Sequence, residues 1–171
     1  ELLKFIDDHP IPYFYNLRLD CHYKSNNSDK NIKVFLFHKI VLLDLFDIFD
    51  EAINHFIRKI NDDSYKNQYK NSNYVLINEE NELLLKDSQN SVLIDQSLVK
   101  LLSLKDDGGN TPLLYASFKG HLKMVIKLIE LGVDYNEKNN AGLNCILMAA
   151  QGDNPNIRVY LKEKFNVDLF K

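Results

Sequence analysis

Two cysteines, Cys21 and Cys145, are all that the 171 residues contain. They stand far apart without metal-ligand spacing, so the chain writes neither a disulfide scaffold nor a zinc site. Two thiols at this length point to a reducing, intracellular setting. Charge of one sign is scarce as well. Residues 1–105 carry 13 Lys/Arg against 16 Asp/Glu, residues 106–171 carry 8 of each, and the net charge is −3. Neither part has the basic excess that nucleic-acid binding needs, and no block of like charge marks a solvating tail. An unbroken apolar run is also missing. The longest candidate, Lys33 to Phe49, is interrupted by His38, Lys39, Asp44 and Asp47, whereas a membrane span needs about 20 mainly apolar residues. That run reads as a buried or amphipathic helix, without membrane insertion by this segment. No signal-peptide pattern opens the sequence. It begins at Glu1 and ends at Lys171 inside a pattern, so a piece of a longer protein is expected.

What is present sorts into an irregular first part and a patterned last part. Residues 1–31 read as irregular, with two prolines between Asp7 and Asp20 and a polar loop at Tyr23–Asn31. Lys33 to Ile60 reads as one long helix or a broken pair. Leu36, Ile40, Leu43, Phe46 and Phe49 recur at helical spacing, and Ala52, Ile53, Phe56 and Ile60 continue the stripe. Asp44, Asp47, Asp50 and Glu51 lie between them as a solvated face. Asn61–Asn73 reads as a polar linker. Tyr74–Ile77 and Glu82–Lys86 read as a short β-hairpin, with a helical reading of the second half competing. Val92 to Leu104 is a better helix, striped by Ile94, Leu98, Leu101 and Leu102. His9, His22, His38 and His55 are scattered, so an independent enzyme in the first 105 residues is not expected.

Shifted by 33 residues, the last part matches itself: Asp106 falls on Asn139, Gly109 on Gly142, Leu113 on Ile146, Ala116 on Ala149 and Leu128 on Leu161. A fixed period of this size is the mark of a repeat protein. Pro112 suits the first turn of a helix, Thr111 can cap it, and Gly120 can end it in the left-handed conformation. Leu122, Val125, Ile126, Leu128 and Ile129 give a second helix a wide apolar face, which a single unit cannot cover. Cys145 reads as a small apolar filler, and Gly108-Gly109 as a turn without the partners of a phosphate loop.

Gly109-Asn110-Thr111-Pro112-Leu113, Ala116, Gly120-His121 and the exit from Leu128 to Lys138 resemble an ankyrin repeat. The resemblance implies a mainly α fold, with ankyrin-type helical hairpins in the C-terminal part and a mixed, mostly helical N-terminal region. It implies that His121 packs between helices rather than acting as a base or a metal ligand. Leu114 and Leu147 stand where such repeats usually carry a histidine that ties adjacent loops together, which implies a looser or more apolar contact. Gly142 to Leu169 is more particularly similar to repeats in ankyrin-containing protein S-palmitoyltransferases of ciliates and other protists. Gly142, Asn144, Ala149, Ala150, Gln151, Gly152, Asp153 and Pro155 carry that likeness, with Tyr160, Leu161, Lys162 and Lys164 after them. Those enzymes hold their chemistry in a cysteine-rich segment that is absent here, so no catalytic residue, metal or cofactor is assigned to this chain.

The expected organisation is an N-terminal region, 1–91, and ankyrin-like repeats over 92–171, divided into a degenerate cap (92–105) and two units (106–138 and 139–171). Such stacks bind proteins through hairpin tips and first helices. The protein-binding candidates are Asp107, Asn110, Tyr115, Phe118 and Lys119 in the first unit and Asn140, Leu143, Met148, Gln151 and Asp153 in the second. Tyr115, Phe118 and Met148 are expected as exposed apolar anchors ringed by polar groups, with packing of Phe118 and Met148 inside the chain as the alternative. The function these readings imply is a non-catalytic protein-interaction segment, cytoplasmic or at the cytosolic face of a membrane through a longer parent. Three contexts stay open: the substrate-recruiting arm of a palmitoyltransferase, a soluble adaptor, and a cytosolic segment of an ankyrin-bearing channel.

Overall fold

A computed structural model describes residues 1–9, 14, 17–25, 28–62 and 96–166. The hairpin expected at Tyr74–Ile77 and Glu82–Lys86, most of the polar linker and the start of the Val92 helix lie outside them. The described elements run α1 (Leu2–Asp8), β1 (Leu19–Ser25), β2 (Ser28–Val34), α2 (Leu36–Leu42), α3 (Phe46–Asn61), α4 (Gln96–Leu102), α5 (Pro112–Lys119), α6 (Leu122–Glu130), α7 (Cys145–Gln151) and α8 (Pro155–Phe165).

Within the first 31 residues, the described segments 2–8, 19–25 and 28–31 are regular where the composition reads as irregular. α1 forms, and the segment read as a polar loop belongs to an antiparallel hairpin in which Leu19 faces Val34 and Ser25 faces Ser28. A two-stranded ladder pairs backbone groups whatever the side chains are, so polar residues conceal it from a search for apolar alternation. Lys33–Ile60 is a broken pair. The break at Leu43–Leu45 ends α2, and with it the apolar stripe changes register: Leu43 is left exposed while Phe49, Ala52, Ile53, Phe56 and Ile60 of α3 are buried. Asp47 in the first turn of α3 and Arg58 and Lys59 in its last turn suit the helix dipole.

The local signals around α5 hold. Thr111 Oγ1 accepts from Leu114 N at 3.4 Å, Pro112 opens the helix, and Gly120 closes it at φ 86°. Asn144 caps α7 in the same manner, accepting from Leu147 N at 3.0 Å. Met124, Val125 and Leu128 are the buried residues of α6, with Leu122 and Ile129 half-buried against the core.

Three helix–turn–helix units share one construction. α2 and α3 turn at Asp44 (φ 55°), α5 and α6 at Gly120 (φ 86°), and α7 and α8 at Asp153 (φ 54°). After each left-handed residue the next N–H donates to the carbonyl five residues back: Leu45 to Ile40 at 3.1 Å, His121 to Ala116 at 3.0 Å, Asn154 to Ala149 at 2.8 Å. α5 packs against α2 on one flank and α7 on the other. β1 packs on α2, and α1 packs on α3. α4 buries Leu98, Leu101 and Leu102, and its Val99 side chain lies beside Gly132 at the exit of α6. One buried apolar cluster runs through all of these, from Ile6 to Leu161.

Candidate protein-binding surface

The two tips before α5 and α7 are built alike. Asp106 Oδ1 accepts from Gly108 N at 2.9 Å and Asn110 N at 2.8 Å. Asn139 Oδ1 accepts from Ala141 N at 3.0 Å and Leu143 N at 2.9 Å. Each residue thus folds the chain over its own side chain, the usual habit of Asp and Asn in turns. The tips are also tied to each other. Asn140 N donates to Gly108 O at 3.0 Å, Asn140 Nδ2 to Asp107 O at 3.1 Å, and Asn139 Nδ2 to Asn110 Oδ1 at 2.9 Å. Gly109 is needed here twice over: its φ is 76°, and a Cβ would sit 2.4 Å from Asn140 Oδ1 and 2.8 Å from Asn140 N.

Among the candidate residues, Asp107, Asn140, Gln151 and Asp153 are exposed, and Asn110, Phe118, Lys119 and Leu143 are half-buried. Asp107 and Asn140 lie side by side at the tips. Arg18 Nη2 reaches Asp107 Oδ1 at 3.3 Å while its guanidinium lies over the Phe35 ring, 4.1 Å from the centroid. Tyr115 and Met148 correct the expectation of exposed anchors, since both are 6% exposed. The reason is the turn each one supports. Tyr115 donates its hydroxyl to Asp106 Oδ2 at 2.6 Å, and Met148 Sδ lies 3.9 Å from Asn139 Nδ2. They stand 33 residues apart and hold the equivalent first residue of each tip. Phe118 is half-buried against the core, and its carbonyl accepts from Asn154 Nδ2 at 2.7 Å.

His38 is the residue that the repeat pattern passed over. It sits in α2 at the place of Leu114 in α5 and Leu147 in α7, and its Nε2 bonds the Asn110 carbonyl at 2.8 Å. Its ring stands edge-on to Tyr115, with centroids 6.0 Å apart. Its place in the first turn of α2, six residues before the left-handed Asp44, matches that of Leu114 before Gly120, a correspondence visible only once the turn is known. Lys39 and Leu42 of α2 likewise take the places of Tyr115 and Phe118, so the inner-helix surface continues onto α2.

His121 and Cys145 are both bonded within the chain. His121 Nδ1 lies 3.1 Å from Asp44 Oδ1, joining two unit turns. Burial lowers the His121 pKa, with Asp44 opposing and Lys119 adding to the shift. The Cys145 thiol donates to Tyr135 O at 3.1 Å, and burial pushes its pKa up to about 12, so at neutral pH it is not a thiolate. Among the described residues no helix is long and apolar enough to cross a membrane.

Residues 108–140 match the family model of the ankyrin repeat. No curated protein matches the chain. The fold is mainly α with ankyrin-type hairpins, and an ankyrin repeat is a protein-interaction fold without catalytic machinery of its own.

Proposed function

We propose that the chain recruits a protein partner through its paired tips and the inner-helix surface beside them, without catalysing a reaction or holding a cofactor. The carrying observation is the pair of cross-linked tips. Asp107 and Asn140 are presented by two equivalent turns, braced within themselves by the Tyr115–Asp106 and Leu143–Asn139 bonds and joined to each other by the Asn139–Asn110 and Asn140–Asp107 bonds. Rigid tips lower the ordering cost of binding, so polar groups there contribute more of their contact energy to affinity. Asn110, Phe118, Lys119, Leu143, Gln151 and Asp153 extend the contact zone; Tyr115 and Met148 support it from beneath.

Four of the residues that carry the likeness to acyltransferase-linked repeats have local structural causes here. Asn144 caps α7. Gly152 leaves room for the Phe118 carbonyl, Asp153 takes the left-handed turn, and Pro155 opens α8. They therefore report the hairpin and carry no information on acyl transfer. The recruiting-arm, adaptor and channel contexts all use the same surface, and protein binding is what they share.

The test is affinity capture from cell extract with the full chain and with a variant carrying Asp107→Ala, Phe118→Ala and Gln151→Ala. Recovery of a partner that the variant loses while keeping its circular dichroism spectrum supports the reading. Equal recovery by a folded variant places binding elsewhere.

A further inference from the structure

The two tips are held by different chemistry. The Asn110 carbonyl accepts twice: from Asp106 N at 3.0 Å, which closes the first tip on itself, and from His38 Nε2 at 2.8 Å, which fastens that tip to α2. At the place of His38, α5 carries Leu114, and the second tip is tied to the first by the amides of Asn139 and Asn140. The first latch can therefore change charge near neutral or acid pH and the second cannot. The His38 site fits only a neutral ring. The residue is 0% exposed, and Nδ1 is buried with no hydrogen-bond partner among the described residues. A second proton would sit on Nδ1, facing no acceptor, where water does not reach. The charged and titratable groups that face the ring do not relieve this. Asp106 of the tip already accepts from Gly108 N, Asn110 N, Asn110 Nδ2 and the Tyr115 hydroxyl, so turning to the ring would undo the tip. Tyr115 of α5 stands edge-on to the ring and gives its hydroxyl proton to Asp106. Arg18, ahead of β1, adds positive charge, and among the described residues no charge from α3 acts on the ring.

We propose that His38 is a pH-sensitive latch on the first tip: as a neutral ring it holds the tip to α2, and on taking up a proton it leaves the α2–α5 joint for water, frees the Asn110 carbonyl and loosens the turn that presents Asp107. The latch rests on the binding role of the tips proposed above and adds a means of regulating it. Asn140 bonds the Gly108 and Asp107 carbonyls, so a slack first tip also unseats the second. Partner affinity therefore falls in acid, as the ordering cost that the rigid tips had removed returns.

The measurement is amide hydrogen exchange on the full 171-residue chain at pH 7.5 and pH 5, each rate divided by its intrinsic value at that pH. A freed ring regains the proton affinity of an ordinary histidine, so protection of residues 106–110 should fall about 30-fold between the two. Those amides should stay less protected than the α5 amides at both pH values, because they report an opening smaller than unfolding. His38→Gln keeps an N–H for the carbonyl and takes up no proton, so its tip should show no such fall. Tip protection that ignores pH, a tip that shares one protection factor with α5, or the same fall in a folded His38→Gln overturns the latch. If His38→Gln does not fold, the wild-type pattern decides alone. For the regulation, protein captured by the chain at pH 7.5 should elute at pH 5 from the wild type and stay on His38→Gln; retention by the wild type overturns it. Capture of nothing at pH 7.5 counts against the binding role itself, and the exchange result then still decides the latch.

Discussion

His38 supplies from outside the sequence repeats the tie that both repeats lack, and it does so as a neutral ring. The Asn110 carbonyl can only accept, so Nε2 carries the proton, and Nδ1 is buried with no hydrogen-bond partner among the described residues. Burial pushes the pKa down to about 4; the Asn110 bond and Asp106 oppose the shift, and Arg18 adds to it. The folded state thus binds fewer protons than the unfolded chain between pH 6.5 and 4, and stability falls as pH falls through that window. Burial lowers the His121 pKa too, adding in the same direction. From pH 7.5 to pH 5, the His38 contribution is a loss of about 2 kcal/mol. Urea unfolding at the two pH values measures it. His38→Leu should cost about 1–3 kcal/mol at pH 7.5, because the Asn110 carbonyl loses its donor, and should remove most of the pH slope. An unchanged slope in His38→Leu would assign the proton uptake to another group.

At the scale of elements, the joints between units decide stability more than the ion pairs beside them. Asn154 Nδ2 donates to Ser117 O at 3.0 Å and Phe118 O at 2.7 Å, carbonyls of the last turn of α5 that have no intrahelical partner of their own. Asn154→Ala is expected to cost about 1–3 kcal/mol. Lys127 and Asp50 form a shorter contact, 2.6 Å, but both side chains are about a third exposed, and Lys127→Ala should cost under about 1 kcal/mol. Gly152→Ala should cost most, about 3 kcal/mol or more, since its Cβ would lie 2.0 Å from the Phe118 carbonyl oxygen and backbone cannot yield cheaply. Chemical denaturation of the three variants ranks them, and a Lys127→Ala loss above that of Asn154→Ala would reverse the argument. These joints mark the limit of what the sequence makes legible. Thr111, Pro112, Gly120 and Asn144 act through local backbone chemistry, so spacing alone locates α5 to α8. Tyr115 and Met148 read as surface because the pattern specifies the helix and not which face meets the tip. Asp44 hides a unit turn, since a left-handed residue is foreseen at glycine and seldom at aspartate.

For the whole molecule, α5 sets the minimum that can fold. Its residues from Pro112 to Ser117 are all buried, and a helix apolar on every side needs cover on every side. α6 and α7 cover two flanks, and α2 covers another. α2 arrives from the part of the chain that a boundary at 91/92 would assign to a separate region, yet Leu36, Phe37, Ile40 and Val41 belong to the same buried cluster as Leu113 and Leu114. Periodicity could not show this, because the unit formed by α2 and α3 stands far upstream of the 33-residue register. Leu114 and Tyr115 each forfeit on the order of 1.5–3 kcal/mol if stripped of cover, and folded domains keep only about 5–15 kcal/mol in total. Residues 92–171 expressed alone are therefore expected to lose the cooperative thermal transition of the full chain. Residues 1–171 should melt in one step by both circular dichroism and tyrosine fluorescence. If 92–171 melts cooperatively at the temperature of the full chain, α4 suffices as a cap and the helices before it form a second, separable body. If it melts without cooperativity, the stack of α2–α3, α5–α6 and α7–α8 is one folding unit, and binding at the two tips depends on all three hairpins being folded.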